Sequence, residues 1–232
     1  MQRQSIRRTL SALLVGLFGL TGAANAVVDF ETGPPLLVDD GESFTDNGFT
    51  LTQSGSFGVV DSAVSFFGGI APSGNATQFY GGLNDSSVIL ARSDNSLFRL
   101  SGFDAGFIEP VFQDPGVSAG RIVVVATGAL NETIIASFDL GLSGNDGSFA
   151  FLTFDHAADF LPFLTLKSAV FFACVYVDAS CVHPDQNLAQ FALDNINVVA
   201  VPEPSTYALL MLGVAALTYR RRQMNKQQVS GE

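Results

Sequence analysis

Short apolar runs separated by polar, glycine-rich breaks fill the middle of the chain. They cover residues 27–31, 57–60, 78–80, 88–91, 97–103, 121–127, 133–140, 149–154, 164–177 and 191–199. Each is rich in valine, isoleucine, phenylalanine or threonine, the types that suit a pleated, half-buried surface. Between them lie Gly-Asn, Gly-Gly, Asn-Asp, Asp-Pro-Gly and Ser-Gly-Asn-Asp-Gly clusters, which are turn chemistry. Over residues 43–52 an alternating run is broken by Asn47-Gly48, the pair that favours a type I′ hairpin. No window in this region keeps a 3.6-residue apolar period for three turns, and no repeat of fixed length is visible. The pattern predicts an all-β domain, an antiparallel β-sandwich of jelly-roll-like winding.

Both ends of the chain read differently. Arg3, Arg7 and Arg8 precede an apolar core over residues 10–20, and Thr21-Gly22-Ala23-Ala24-Asn25-Ala26 follows. That is the layout of a secretory signal peptide over residues 1–26, with Ala24 and Ala26 as the small residues of the cleavage site and the cut expected after Ala26. Arg7-Arg8 lacks the wider twin-arginine pattern, so ordinary secretion is expected, through signal peptidase and the secretion machinery. At the other end, Val201-Pro202-Glu203-Pro204-Ser205-Thr206 leads into an apolar run over 207–219 and then Arg220, Arg221 and Arg222. Thirteen helical residues rise only about 20 Å against roughly 30 Å of hydrocarbon. Interfacial tyrosines and long arginine stems ease the deficit, so the run reads as a single transmembrane helix with a cytoplasmic arginine end.

Removing both signals leaves one domain, residues 27–200, and changes the charge. Arg92, Arg99, Arg121 and Lys167 are its only cations against twenty acids, a net charge of −16 where the full chain carries −11. Such a surface repels nucleic acid and anionic lipid, because it cannot release counterions by neutralising phosphates. Twenty-one phenylalanines and no tryptophan fit a core of inward-facing aromatic rings.

Pro202-Glu203-Pro204, the short apolar helix and the arginine cluster, in that order, resemble the PEP-CTERM sorting signal of exported proteins in Gram-negative, exopolysaccharide-producing bacteria. The resemblance covers roughly the last 25 residues and implies handling by an exosortase, a membrane protease that cuts near the Pro-Glu-Pro motif. It also implies a precursor held in the inner membrane and then release to the cell surface or extracellular matrix. The polar tail 223–232 is longer than such signals carry. The body loosely resembles the β-sandwich ectodomains that precede this signal, with its opening Asp29-Phe30-Glu31 and closing Leu193-Asp194-Asn195-Ile196.

Candidate chemistry in the body is sparse. Cys174 and Cys181 should pair in an exported protein and fix a loop. In sandwiches of the carbohydrate-binding jelly-roll kind, first and last strands often pair and hold a structural calcium. By that likeness Asp29, Glu31, Asp194 and Asn195 form a candidate calcium set, and hydrogen bonding to the neighbouring turn is the alternative. Gly116-Val117-Ser118-Ala119-Gly120 matches a nucleophile elbow, yet a strand rather than a helix is expected after it, so a glycine-rich turn explains it better. His156 and His183 stand alone in acidic loops, and Asn75, Asn84 and Asn131 open Asn-x-Ser/Thr triplets that read as turns. Two function classes remain. One is a non-enzymatic surface or matrix protein associated with exopolysaccharide; the other is a secreted glycan or ester hydrolase using carboxylates or Ser118.

Overall fold

The computed structural model describes residues 25–66, 69–109, 115–116, 118, 120–155, 165–177, 180–182, 189–201 and 211–221. They divide into a body, Ala24–Ala200, and a second unit made of the terminal stretches Met1–Ala23 and Val201–Glu232. In chain order the strands are β1 (Asn25–Val28), β2 (Leu36–Val38), β3 (Ser43–Asp46), β4 (Phe49–Ser54), β5 (Gly58–Ser62), β6 (Gln78–Gly82) and β7 (Ser87–Arg92). They continue with β8 (Phe98–Phe107), β9 (Gly120–Gly128), β10 (Thr133–Asp139), β11 (Leu152–Asp155), β12 (Leu166–Val177), β13 (Ser180–Val182) and β14 (Phe191–Ala200).

All strand pairings are antiparallel, and the strands lie in two layers. The first sheet has the order β2-β5-β6-β14-β8-β11, with β1 beside the C-terminal half of β14. The second has the order β3-β4-β7-β12-β9-β10, with β13 on the end of β12. A single residue pair, Leu166 with Phe98, links the two ladders. Within them β6-β14-β8-β11 faces β7-β12-β9-β10, so the chain crosses between layers in the order of a jelly roll and its first and last strands become neighbours.

Aromatic rings fill the space between the layers. Phe103 of β8 meets Phe138 of β10 and Phe171 of β12, both edge-on at 5.3 Å between ring centres. Phe49 of β4 meets Phe98 of β8 at 5.3 Å. Inward positions alternate along each strand, as in Ile122, Val124 and Ala126 of β9 or Phe191 and Leu193 of β14. The period-2 pattern read from the sequence is therefore the pattern of burial. Inside this core the Tyr80 hydroxyl donates to Gln53, tying the sheets together through β6 and β4.

The outer faces of the two sheets differ. On the first, Val59, Phe79, Ile108 and Ala192 form a second apolar cluster with Phe66, Ala71 and Phe151 packed over it. Glycine permits this cover: a Cβ on Gly106 would stand 2.7 Å from Pro72, and one on Gly81 2.8 Å from the Phe66 ring. On the second sheet the outward side chains of β4 and, apart from exposed Arg121, of β9 are half-buried, and Ile135 of β10 is 69% exposed.

The Asn47-Gly48 hairpin forms as expected, with both residues at positive φ, 45° and 82°, between β3 and β4. Two strands escape the sequence pattern, β2 and β13, each three residues long. The first strand also ends sooner than expected. Phe30 turns left-handed at φ 61°, so Asp29 and Glu31 sit in the turn after β1, not on it. Buried Asp46 holds that turn, its Oδ2 accepting from the Asp29 and Phe30 amides and its Oδ1 from the Thr32 hydroxyl.

Phe103 is the ring through which three others meet, Phe138, Phe154 and Phe171. Urea unfolding of Phe103→Ala should show a loss of about 3–5 kcal/mol, against about 0.5 kcal/mol or less for Leu130→Ala on an exposed turn. Equal losses would mean that the sandwich does not pivot on this cluster.

Candidate functional site

Two places in the body and one beyond it carry the residues that the sequence singles out. The first lies on the outer face of the first sheet, where β14 crosses β8. Asp194 and Asp104 are direct cross-strand partners there, two carboxylates side by side. The pairing then slips by one residue: Asn197 faces Gly102, and Asn195 takes a left-handed φ of 48° in the resulting bulge. Asparagine tolerates that conformation and gains from it. Its side-chain amide donates to Asp104 at 2.8 Å while its backbone N–H donates to Asp194 at 2.7 Å.

The β5–β6 connection closes over the pair. The Asn75 side-chain amide donates to Asp194 Oδ2 at 2.6 Å, and the Thr77 amide and hydroxyl both donate back to Asn75 Oδ1. Next to it Glu31 accepts from the Gln78 amide at 2.6 Å. Burial pushes the Asp194 carboxyl up to about 7; the Asn195 N–H and the Asn75 amide pull it down, and the charges of Asp104 and Glu31 add to the rise. Asp194 is 1% exposed, and its hydrogen bonds fasten a loop to a strand.

Of the residues read as a calcium set, Glu31, Asp194 and Asn195 belong to this neighbourhood. Asp29 does not join them: its Oδ1 accepts the Glu31 amide in its own turn. Among the described residues no three histidine, cysteine, aspartate or glutamate side chains gather to hold a metal ion. Asp194 and Asn195 hydrogen-bond to one another and to Asn75 and Asp104. Asp104 and Asn75 were not singled out as partners of Asp194. The only signal for Asp104 is its outward place in an alternating run, and for Asn75 the Asn-Ala-Thr triplet itself.

The second place is the end of the second sheet. Cys174 and Cys181 form the disulfide, with Cα atoms 5.4 Å apart, joining β12 to β13. Beside it the Tyr176 hydroxyl donates to Asp139 at 3.0 Å, and the Arg121 guanidinium lies 5.7 Å from the Tyr176 ring centre. Ser118, the elbow candidate, bridges to Leu142 directly ahead of strand β9, so no helix follows it. His156 and His183 lie outside the described residues, and Lys167 donates to Asn131 at 2.6 Å.

Beyond the body, residues 211–221 are helical and end in exposed Arg220 and Arg221. Ala24, Pro202, Glu203, Pro204 and Arg222 lie outside the described residues. Among the described residues no helix is long and apolar enough to cross a membrane. Ala26 belongs to β1, opposite Val198, and packs against the core. A cut after it leaves Val27 and Val28 paired with Asn197 and Ile196.

The buried carboxyl gives stability a sign with pH. Below about 4 Asp194 is protonated whether folded or not, so its stabilising contribution is fully present. Between about 4 and the raised folded value of about 7, the unfolded chain ionises first and that contribution is lost as pH rises. Asp94 runs the other way: Arg92 and Ser96 hold it below the usual range, so its effect is lost only in stronger acid. The melting temperature should therefore climb on acidification from neutral pH to about 5, and Asp194→Asn should flatten that climb. An identical pH profile in the variant would remove Asp194 as its source.

By sequence, no curated protein is a significant match. Two solved structures are similar to the chain at low identity. A DUF4465 family protein from Bacteroides caccae is 13% identical, covers 77% of this chain and 100% of its own, and superposes with a TM-score of 0.49. The CBM22-1 xylan-binding domain of Xyn10C from Paenibacillus barcinonensis is 13% identical, covers 79% of this chain and 99% of its own, with a TM-score of 0.38. Residues 200–222 match the family model of the PEP-CTERM protein-sorting motif, beginning at Ala200, the residue on which β14 ends. The chain thus carries a PEP-CTERM protein-sorting motif, which implies an exported protein that an exosortase processes.

Proposed function

We propose that the protein is a non-enzymatic component of the cell surface or extracellular matrix of a Gram-negative bacterium. It is held at the inner membrane as a precursor, then freed or transferred by an exosortase and retained among exopolysaccharide. The observation that carries this reading is the seam between fold and signal: the last strand ends at Ala200 and the matched motif starts there. Cutting near Pro202 to Pro204 therefore removes no strand of the sandwich.

The body's ends support the same reading. Asn25 pairs with Val199, so the entering strand β1 and the leaving strand β14 run antiparallel as neighbours in the first sheet. The first and last residues of the body, where a leader and a tail attach, are therefore neighbours. A charge of −16 on the body keeps it off anionic membrane and nucleic acid once it is released. The hydrolase reading has no comparable support: the Ser118 hydroxyl is buried without a hydrogen-bond partner among the described residues.

Intact-mass measurement of the protein from producing cells should find a chain that has lost both the leader and the segment after the Pro-Glu-Pro motif. Replacing Pro202, Glu203 and Pro204 by alanine should keep the tail attached and the protein in the membrane fraction. Recovery of the wild type from the cytosol as Met1 to Glu232 would overturn the proposal.

A further inference from the structure

We infer that the finished body hides its own leader-cleavage bond: the peptide between Ala26 and Val27 is open to a peptidase only until the last strand is in place. The leader is therefore removed before the fold closes and before the tail is processed. The inference rests on the expected cut after Ala26 and adds an order to the two cuts.

The bond lies inside a strand. β1 runs Asn25–Val28, and its register with β14 pairs Asn25 with Val199, Ala26 with Val198, Val27 with Asn197 and Val28 with Ile196. The residues on both sides of the expected cut are thus held in one ladder. Ala26 also packs against the core and Val28 is fully buried, so the inward side chains of this strand belong to the sandwich. A peptidase that reads a small side chain and cuts the bond after it needs that side chain in its own pocket and the substrate backbone free to pair. In the folded body neither condition holds.

The opposite sheet fastens the same segment. The side-chain amide of Asn47, in the β3–β4 turn, donates to the Val27 carbonyl at 2.6 Å. Its neighbour Asp46 accepts from the Asp29 and Phe30 amides at 3.0 Å each. Residues 25–30 are tied to a strand of one sheet and a hairpin of the other, and reaching the bond means lifting β1 away from both. Cleavage of such a segment follows the small population in which it is locally open.

Chain order supplies the interval in which the bond is free. Among the described strands β1 pairs with β14 alone, the first strand with the last. Even at the pace of synthesis, about 5–20 residues per second, β14 follows β1 by on the order of 10 s. In that interval hydrolysis breaks the C–N bond between Ala26 and Val27. The oxygen of water goes to the Ala26 carbonyl carbon, leaving a carboxylate, and its two hydrogens go to the Val27 nitrogen, leaving an ammonium group. The sorting motif begins at Ala200, where β14 ends. A chain long enough to present that motif is long enough to close β1 against β14, so the leader cut comes first.

The test uses the full chain, made by cell-free synthesis in mild detergent under oxidising conditions. Purified signal peptidase is present from the start, or is added once circular dichroism shows the folded sheet, and N-terminal sequencing identifies the bond cut. Early peptidase should cut between Ala26 and Val27, and late peptidase should do so at least about tenfold more slowly. Asn47→Gly keeps the positive-φ turn and removes the tie to Val27, so it should speed the late cut several-fold while leaving the early one unchanged. A second precursor carries a flexible Gly-Ser spacer after Ala26 and a repeated Asn-Ala before Val27, which moves the bond out of the strand and leaves β1 its sequence. It should be cut equally fast early and late. Late cutting of the wild type as fast as early cutting would overturn the inference and leave the expected site standing. Early resistance of the wild type with ready cutting of the spacer precursor would overturn the open interval. Cutting at a different bond would overturn the expected site itself.

Discussion

The sandwich depends on its last strand lying in the middle. β14 is paired on one edge by β8 and on the other by β6 and β1, so among the described strands it is what joins the two halves of the first sheet. Phe191, Leu193, Ile196 and Val198 are its share of the core. Until residue 200 is available, β6 and β8 have no common neighbour and the layer opposite has nothing to close upon. For a chain exported from its N-terminus, the fold is therefore complete only when the body has been exported as far as its last strand. Long-range pairing of this kind is slow, and open strand edges invite association.

Small changes of side chain give the two sheets different outer faces. Glycine at outward positions 81 and 106 lets Phe66 and Pro72 come down onto the first sheet, and the cluster around Phe79 and Ile108 is closed by that contact. On the second sheet the outward positions of the described strands include Thr50, Thr52, Ile89, Val123 and Val125, whose side chains stand up from the pleat.

Much of this was legible in the chain. The alternating runs gave most strands within a few residues, because a one-sided core forces a period of two. Asn47-Gly48 fixed its hairpin by its backbone preference alone. β2 was hidden between Pro34-Pro35 and Asp39-Asp40 in an edge strand whose Leu36 and Leu37 stay exposed, so no alternation marked it. Asp29 and Glu31 were placed on a strand because the apolar run continued through Phe30; only the left-handed backbone there, fixed by Asp46 from a distant hairpin, breaks the strand. Asp194 and Asn195 were legible as a polar break in an apolar strand. Their partners were not, since cross-strand register and loop placement are properties of the assembled sheet.

That polar break has a cost that explains its place. Like charges directly opposite in a sheet are destabilising, and a buried carboxylate is worse than an exposed one. Threonine or valine at 194 would avoid both penalties and keep the pairing with β8. What they could not do is accept the amide of Asn75 and the backbone N–H of Asn195 together. Those two bonds fasten the loop that covers the first sheet to the strand that leads into the sorting signal, at the bulge where β1 also joins. Loop and central strand are therefore fixed by one side chain, and loosening it would free the covering loop and the β14 bulge together, eight residues ahead of Pro202. A body that must stay folded while its tail is cut has reason to keep an expensive group there.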